Sequence, residues 1–113
     1  MATRDMSSIA VWIPLDDADE SNGCLWMYPG SHKSGVLWPL VNGQSALHPY
    51  TEEQAVPVPM RVGSAVFFHG HVLHRSSANL FDSGKRRRVL TSGYQSCESV
   101  CTYSGEQMRQ IDP

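Results

Sequence analysis

Alternation with a period of two runs through the apolar segments of this chain. In Ile9-Ala10-Val11-Trp12-Ile13-Pro14-Leu15, the residues Ile9, Val11, Ile13 and Leu15 fall on one side of an extended backbone and Ala10, Trp12 and Pro14 on the other. Successive side chains of a strand point to opposite faces, so this pattern, rich in β-branched residues, predicts a strand. The acidic stretch Asp16 to Glu20 ends it and closes on the turn dipeptide Asn22-Gly23. Cys24 to Tyr28 then predicts a second strand, stopped by Pro29-Gly30, and the two strands are expected to pair as a hairpin with an acidic tip.

Downstream, Ser31 to Gln54 holds Gly35, Pro39, Gly43 and Pro49 with no sustained helical period, and reads as a long loop. Val56-Pro57-Val58-Pro59-Met60 is extended, but two prolines remove two ladder donors and confine it to a sheet edge. Ser64 to His69 reads as a buried strand, Gly70 interrupts it, and His71 to His74 continues extended. A polar loop from Arg75 to Lys85 precedes a last strand over Arg86 to Gln95. The tail, residues 96–113, is polar with weak helical character around Glu106 to Ile111. Short strands separated by Gly, Pro and Asn turns give an all-β sandwich or barrel. The 113 residues suit one domain, and an apolar fraction of 41% supplies a modest core.

Composition narrows the function classes. Nine Lys and Arg against eleven Asp and Glu give a formal charge of −2, which argues against nucleic acid as the main partner. No apolar run approaches the roughly 20 residues that a bilayer requires, so no membrane partner is expected. The first residues lack a secretory pattern, and a cytoplasmic location is the expectation. Three cysteines (Cys24, Cys97 and Cys101) form neither a disulfide framework nor a paired CxxC zinc site; Cys97 and Cys101, four apart, could pair or bind a metal together, but free thiols are the expectation.

Two clusters could carry chemistry. His69, His71 and His74 fall within six positions, and imidazole is the commonest side-chain ligand for Zn, Fe, Cu and Ni. In a continuous strand, however, His69 and His71 share a face while His74 points away, so all three reach one metal only if Gly70 bulges the chain. Spacing alone favours ordinary strand histidines. The second cluster is Lys85-Arg86-Arg87-Arg88. Alternation groups Arg86, Arg88 and Leu90 on one face and Arg87, Val89 and Thr91 on the other. A solvated strand end is the simpler reading, whereas an inward guanidinium requires an anion, and its fork suits a carboxylate. Trp12, opposite the aliphatic stripe, is either a packing residue or the wall of a ligand cavity. The acidic loop lacks the ligand spacing of a calcium site and reads as a solvated tip.

Taken in order, three blocks resemble the phytanoyl-CoA dioxygenase family, in particular its domain-containing-protein branch. They are Val11-Trp12-Ile13-Pro14-Leu15-Asp16-Asp17, then Asn22-Gly23-Cys24-Leu25-Trp26 with Pro29-Gly30-Ser31-His32, then His69 to Asn79 with the Arg run and Val89-Leu90 behind it. The resemblance covers roughly Ser8 to Gln95. It implies a double-stranded β-helix (a cupin-like jelly roll) and an Fe(II)- and 2-oxoglutarate-dependent dioxygenase acting on a small organic molecule. Iron in that family is held by two histidines and one carboxylate. By position, the resemblance makes His74 the distal iron ligand, Ser76 a hydroxyl that helps hold 2-oxoglutarate, Arg87 the clamp for its far carboxylate, and Trp12 a wall of the cosubstrate pocket. His69 and His71 match no ligand. The spacing from His74 to the Arg run is slightly longer than in the family pattern, which leaves Arg86 or Arg88 open as the clamp; Arg87 is preferred because it turns Val89 inward and sets Tyr94 in register.

One departure is larger. The family's other two ligands form a His-x-Asp pair upstream of the Trp12 strand, and no histidine of this chain is followed two positions later by Asp or Glu. The expectation is therefore a single partial domain over residues 1–113, the C-terminal part of a jelly roll lacking its N-terminal strands and inactive alone. Its open sheet edges would favour self-association. The alternative is a metal-free jelly-roll remnant that serves as a binding or interaction module.

Overall fold

The computed structural model describes residues 7–35, 40–41, 44–45, 49–80 and 84–98. Eight short strands make up most of its regular structure: β1 (Ile9–Pro14), β2 (Leu25–Met27), β3 (Leu40–Val41), β4 (Gln44–Ser45), β5 (Val56–Val58), β6 (Val66–His69), β7 (His74–Ser76) and β8 (Val89–Tyr94). They form two three-stranded antiparallel sheets, β6-β1-β8 and β5-β2-β7, and a separate β3-β4 pair. No α-helix occurs among the described residues, and none there is long and apolar enough to cross a membrane.

Period two fixes which side of β1 faces the second sheet. Trp12 is 5% exposed and Pro14 is fully buried, whereas on the other side Ile9 and Leu15 are about half exposed and only Val11, in the middle of the strand, is buried. Trp12 packs with Ala18, Cys24, Leu25 and Met60, so the core lies between the two sheets and draws on both. Val66 and Phe68 of β6 and Val89 of β8 close around it, as do Met27 and Val58 of the other sheet. Burying this mixed aromatic and aliphatic cluster is the main force holding the sheets face to face.

β1 and β2 do not form the expected hairpin. Each is the central strand of its own sheet, and the acidic loop carries the chain across from one to the other. The loop is too firmly anchored elsewhere to act as a hairpin tip: Ala18 forms a two-way backbone bridge with Met60 at 2.8 Å, and the Asp17 carboxylate accepts the Val62 N–H at 2.8 Å. The strand over Ser64 to His69 is not a buried one either. β6 is an edge strand of its sheet, and Phe67 on its outer side is 69% exposed. The chain does not run on extended through His71; the Val72 N–H bonds to the His69 carbonyl at 2.9 Å, a turn that transfers the backbone to the second sheet. The long loop after Pro29 contains two 3-10 turns, Ser31–Ser34 and Glu52–Gln54, and the β3-β4 pair. β5 lies at a sheet edge, as its prolines require. Cys24 is buried and Cys97 exposed, while Cys101 and the weakly helical tail lie outside the described residues.

Candidate active site

His74 opens β7. Its register with β2 pairs it with Met27 and pairs Ser76 with Leu25, so His74 and Ser76 lie on the face that carries the core residues. The His74 ring meets Phe68 of the opposite sheet edge-on, with centroids 4.9 Å apart and planes at 65°. Its Nδ1 lies 2.8 Å from the Val72 carbonyl oxygen. A carbonyl only accepts, so Nδ1 carries the proton and the Nε2 lone pair is left available, the state a metal-binding imidazole needs. Between His74 and Ser76, Arg75 points the other way: its guanidinium stacks 4.9 Å from the Trp26 ring and pairs with Glu52 at 2.7 Å.

The strand end bearing His74 is held from below by two turns. Ser31 is fully buried, and its hydroxyl accepts the Leu73 N–H at 2.8 Å. The Tyr28 N–H bonds to the Leu73 carbonyl at 3.0 Å. This support role of Ser31 is not evident from the motif that contains it. The available signal was a small hydroxyl residue directly after Pro29-Gly30, a place where a side chain substitutes for a missing backbone partner.

Arg87 sits just before β8. Register pairs Val89 with Pro14 and Thr91 with Trp12, and Arg87 continues that alternation onto the inner side. It is half-buried, with its guanidinium carbon 6.0 Å from the Trp12 ring centroid, and has no carboxylate partner among the described residues. Its neighbours behave differently. Arg88 forks onto Asp16 through Nε at 3.0 Å and a terminal nitrogen at 2.9 Å. That pairing, with the Arg88 N–H donating to the same carboxylate, holds the Asp16 pKa down at about 2. Lys85 pairs with Asp19 at 2.7 Å and holds that carboxylate well below its ordinary range. Arg86 is exposed. Of the three arginines left open by spacing, the inward one is Arg87.

His69 and His71 lie together. The His71 N–H donates to Nδ1 of His69 at 3.0 Å, and the two rings are 5.2 Å apart, with His32 5.4 Å from His69 on its other side. An accepted hydrogen bond at Nδ1 puts the neutral His69 proton on Nε2, so that ring has no free lone pair for a metal. Burial pushes the Cys24 thiol pKa up, which removes it as a nucleophile.

The sequence model of the phytanoyl-CoA dioxygenase family matches residues 1–89. The chain belongs to that family. The match extends to the N-terminus and stops at Val89, short of the Gln95 that the motifs alone suggest. Phytanoyl-CoA dioxygenase domain-containing protein 1 of Rattus norvegicus is 40% identical over 88 residues, and its counterpart in Danio rerio is 38% identical over 87. These alignments cover 69% and 68% of this chain but only 30% of each relative. The chain thus spans about a third of the length of the curated family members it matches. Among solved structures, the epimerase SnoN in complex with Fe3+, alpha-ketoglutarate and nogalamycin RO superimposes with a TM-score of 0.60 at 26% identity, over 84% of this chain and 38% of that one. EvdO2 from Micromonospora carbonacea, complexed with 2-oxoglutarate, gives a TM-score of 0.59 at 22% identity, over 91% and 44%, a likeness of fold. The two facing sheets are therefore part of the jelly roll of 2-oxoglutarate-dependent oxygenases.

Proposed function

We propose that this chain is the portion of an Fe(II)/2-oxoglutarate-dependent dioxygenase that carries one iron-binding imidazole, His74, and the cosubstrate clamp, Arg87, with Ser76 and Trp12 beside them. The observation that carries this reading is that the two side chains, from opposite sheets, each meet an aromatic ring of the packing between the sheets, exposed His74 against Phe68 and half-buried Arg87 over Trp12. Arg87 is suited to a carboxylate: it is partly desolvated and retains its full fork of donors. His74 offers Nε2 because Val72 holds the proton on Nδ1.

Iron in such enzymes supplies oxygen activation. Among the described residues no group of three His, Cys, Asp or Glu could hold a metal ion, so these residues do not make an iron site by themselves. What they do is bind and orient: Arg87 takes an anion and His74, exposed at the start of β7, offers one lone pair, while Phe68, Trp12 and Val89 pack together beside them. The reading also includes inactivity of the 113 residues alone, because no histidine in them is followed two positions later by Asp or Glu. The same departure from the family's ligand pattern leaves a second reading, a metal-free remnant that binds a partner or small molecule through the same fold.

Substitution in a full-length protein carrying these residues together with a His-x-Asp pair tests the assignment. His74→Ala should abolish iron retention, measured by elemental analysis. Arg87→Ala should keep the iron and raise the 2-oxoglutarate requirement by roughly 10- to 100-fold, the worth of a charge-assisted hydrogen bond. An unchanged requirement, with a rise in Arg86→Ala or Arg88→Ala instead, would move the clamp to a neighbour.

A further inference from the structure

Three consecutive arginines present a register problem, because a slip of one residue would exchange the inward and outward side chains. Pairing with β1 begins at Val89, and the Arg88 carbonyl accepts the Leu15 N–H at 2.9 Å. Before that point no strand holds the run. Two asparagines do so instead. The Asn79 side-chain amide donates to the Lys85 carbonyl at 2.7 Å, and the Asn22 amide donates to the Arg86 carbonyl at 3.3 Å. On the far side, the Arg88 N–H donates to Asp16 at 2.8 Å.

Asn22 is itself firmly seated. It is fully buried, its Oδ1 accepts the Asp19 N–H at 2.7 Å, and its Nδ2 also donates to the Asp17 carbonyl at 2.8 Å. The amide thus ties the acidic loop to the arginine run 64 residues later. The result is a backbone gripped at residues 85, 86 and 88, with side chains 85 and 88 taken by Asp19 and Asp16.

We propose that Asn22 and Asn79 are positioning residues that set the register of the arginine run, so that Arg87 and neither neighbour faces the space between the sheets. They act through the Arg86 and Lys85 carbonyls and touch no ligand. The role matters for function only if Arg87 is the carboxylate clamp, and it thus rests on the reading above.

The test is residue-resolved labelling of the full chain with phenylglyoxal, an arginine-selective dicarbonyl, read by mass spectrometry. In the parent chain Arg86 should label faster than Arg87, and added 2-oxoglutarate should slow Arg87 alone. Asn79 is exposed, so Asn79→Ala is compatible with folding, and Asn79→Asp keeps the shape while losing the donor. Both should cut the Arg86-to-Arg87 ratio by about fivefold, the factor that one net hydrogen bond supplies. Arg75, half-buried on the other sheet, should keep its parent rate, a control that general loosening would fail. Asn22→Ser should lower the ratio in the same sense. An unchanged ratio in the Asn79 variants, or a rise at Arg75 in step with Arg87, overturns the proposal. A shifted ratio without 2-oxoglutarate protection of Arg87 supports the positioning role and removes the clamp reading instead.

Discussion

Gly23 has a φ of +90°, and a Cβ built there would stand 2.5 Å from the Ser77 carbonyl oxygen. Backbone strain and a backbone clash thus coincide one residue after the buried Asn22. Gly23→Ala should destabilise the chain by roughly 1–3 kcal/mol, read as a lower urea midpoint, whereas a change at Gly63, where a Cβ meets nothing, should cost only the strain. At this scale the motifs were legible and many of their tasks were not. Alternation alone put Arg87 on the face of Val89, because a strand's two sides are a local property. Asn22 read as a turn residue, since its decisive partner, the Arg86 carbonyl, is remote in sequence. The proton on Nδ1 of His74 depends on how the chain turns at Val72, which no spacing rule encodes.

Two ion pairs, Asp16–Arg88 and Asp19–Lys85, join the loop after β1 to the lead-in of β8. Arg88 holds the Asp16 pKa at about 2 against an ordinary value of 3.8, and Asp19 is lowered by Lys85 and Ser21. A carboxylate whose folded pKa is depressed stabilises the fold above its unfolded pKa and loses that contribution as the pH falls through the folded one. The loop clasp should therefore be intact above about pH 4 and dissolve toward pH 2. Circular dichroism across that window should show stability falling, with a shallower fall in Asp16→Asn and at high salt, since the pairs are solvent-accessible. A profile identical in Asp16→Asn would remove the clasp. Element identity was largely readable from the sequence, whereas pairing was not. The same alternation that marks β1 and β2 as strands says nothing about whether they pair with each other, and the anchors at Met60 and Val62 that send them to separate sheets are far along the chain.

For the molecule as a whole, the outer face of the β6-β1-β8 sheet is apolar, buried at Val11 and exposed toward its edge strands. Phe67, Leu90 and Tyr94 are each more than half exposed, and register sets them beside Val11, Ile13 and Ile9. Exposed apolar side chains on edge strands favour association. Phe67→Lys should shift the chain toward monomer in sedimentation velocity, and an unaltered distribution would show that this face is not the one used. The all-β class was legible from short alternating segments, and the family from three ordered motifs, because both depend on local pattern. Among the described residues no three metal-ligating side chains stand together in this oxygenase frame, and the central prediction is that the chain alone is inactive. Its most direct test is succinate formation from 2-oxoglutarate by the purified 113-residue chain, supplied with Fe(II), ascorbate and oxygen. The expected result is none above the protein-free background. Sustained iron-dependent turnover, lost in His74→Ala, would contradict the account by showing that these residues assemble a complete centre.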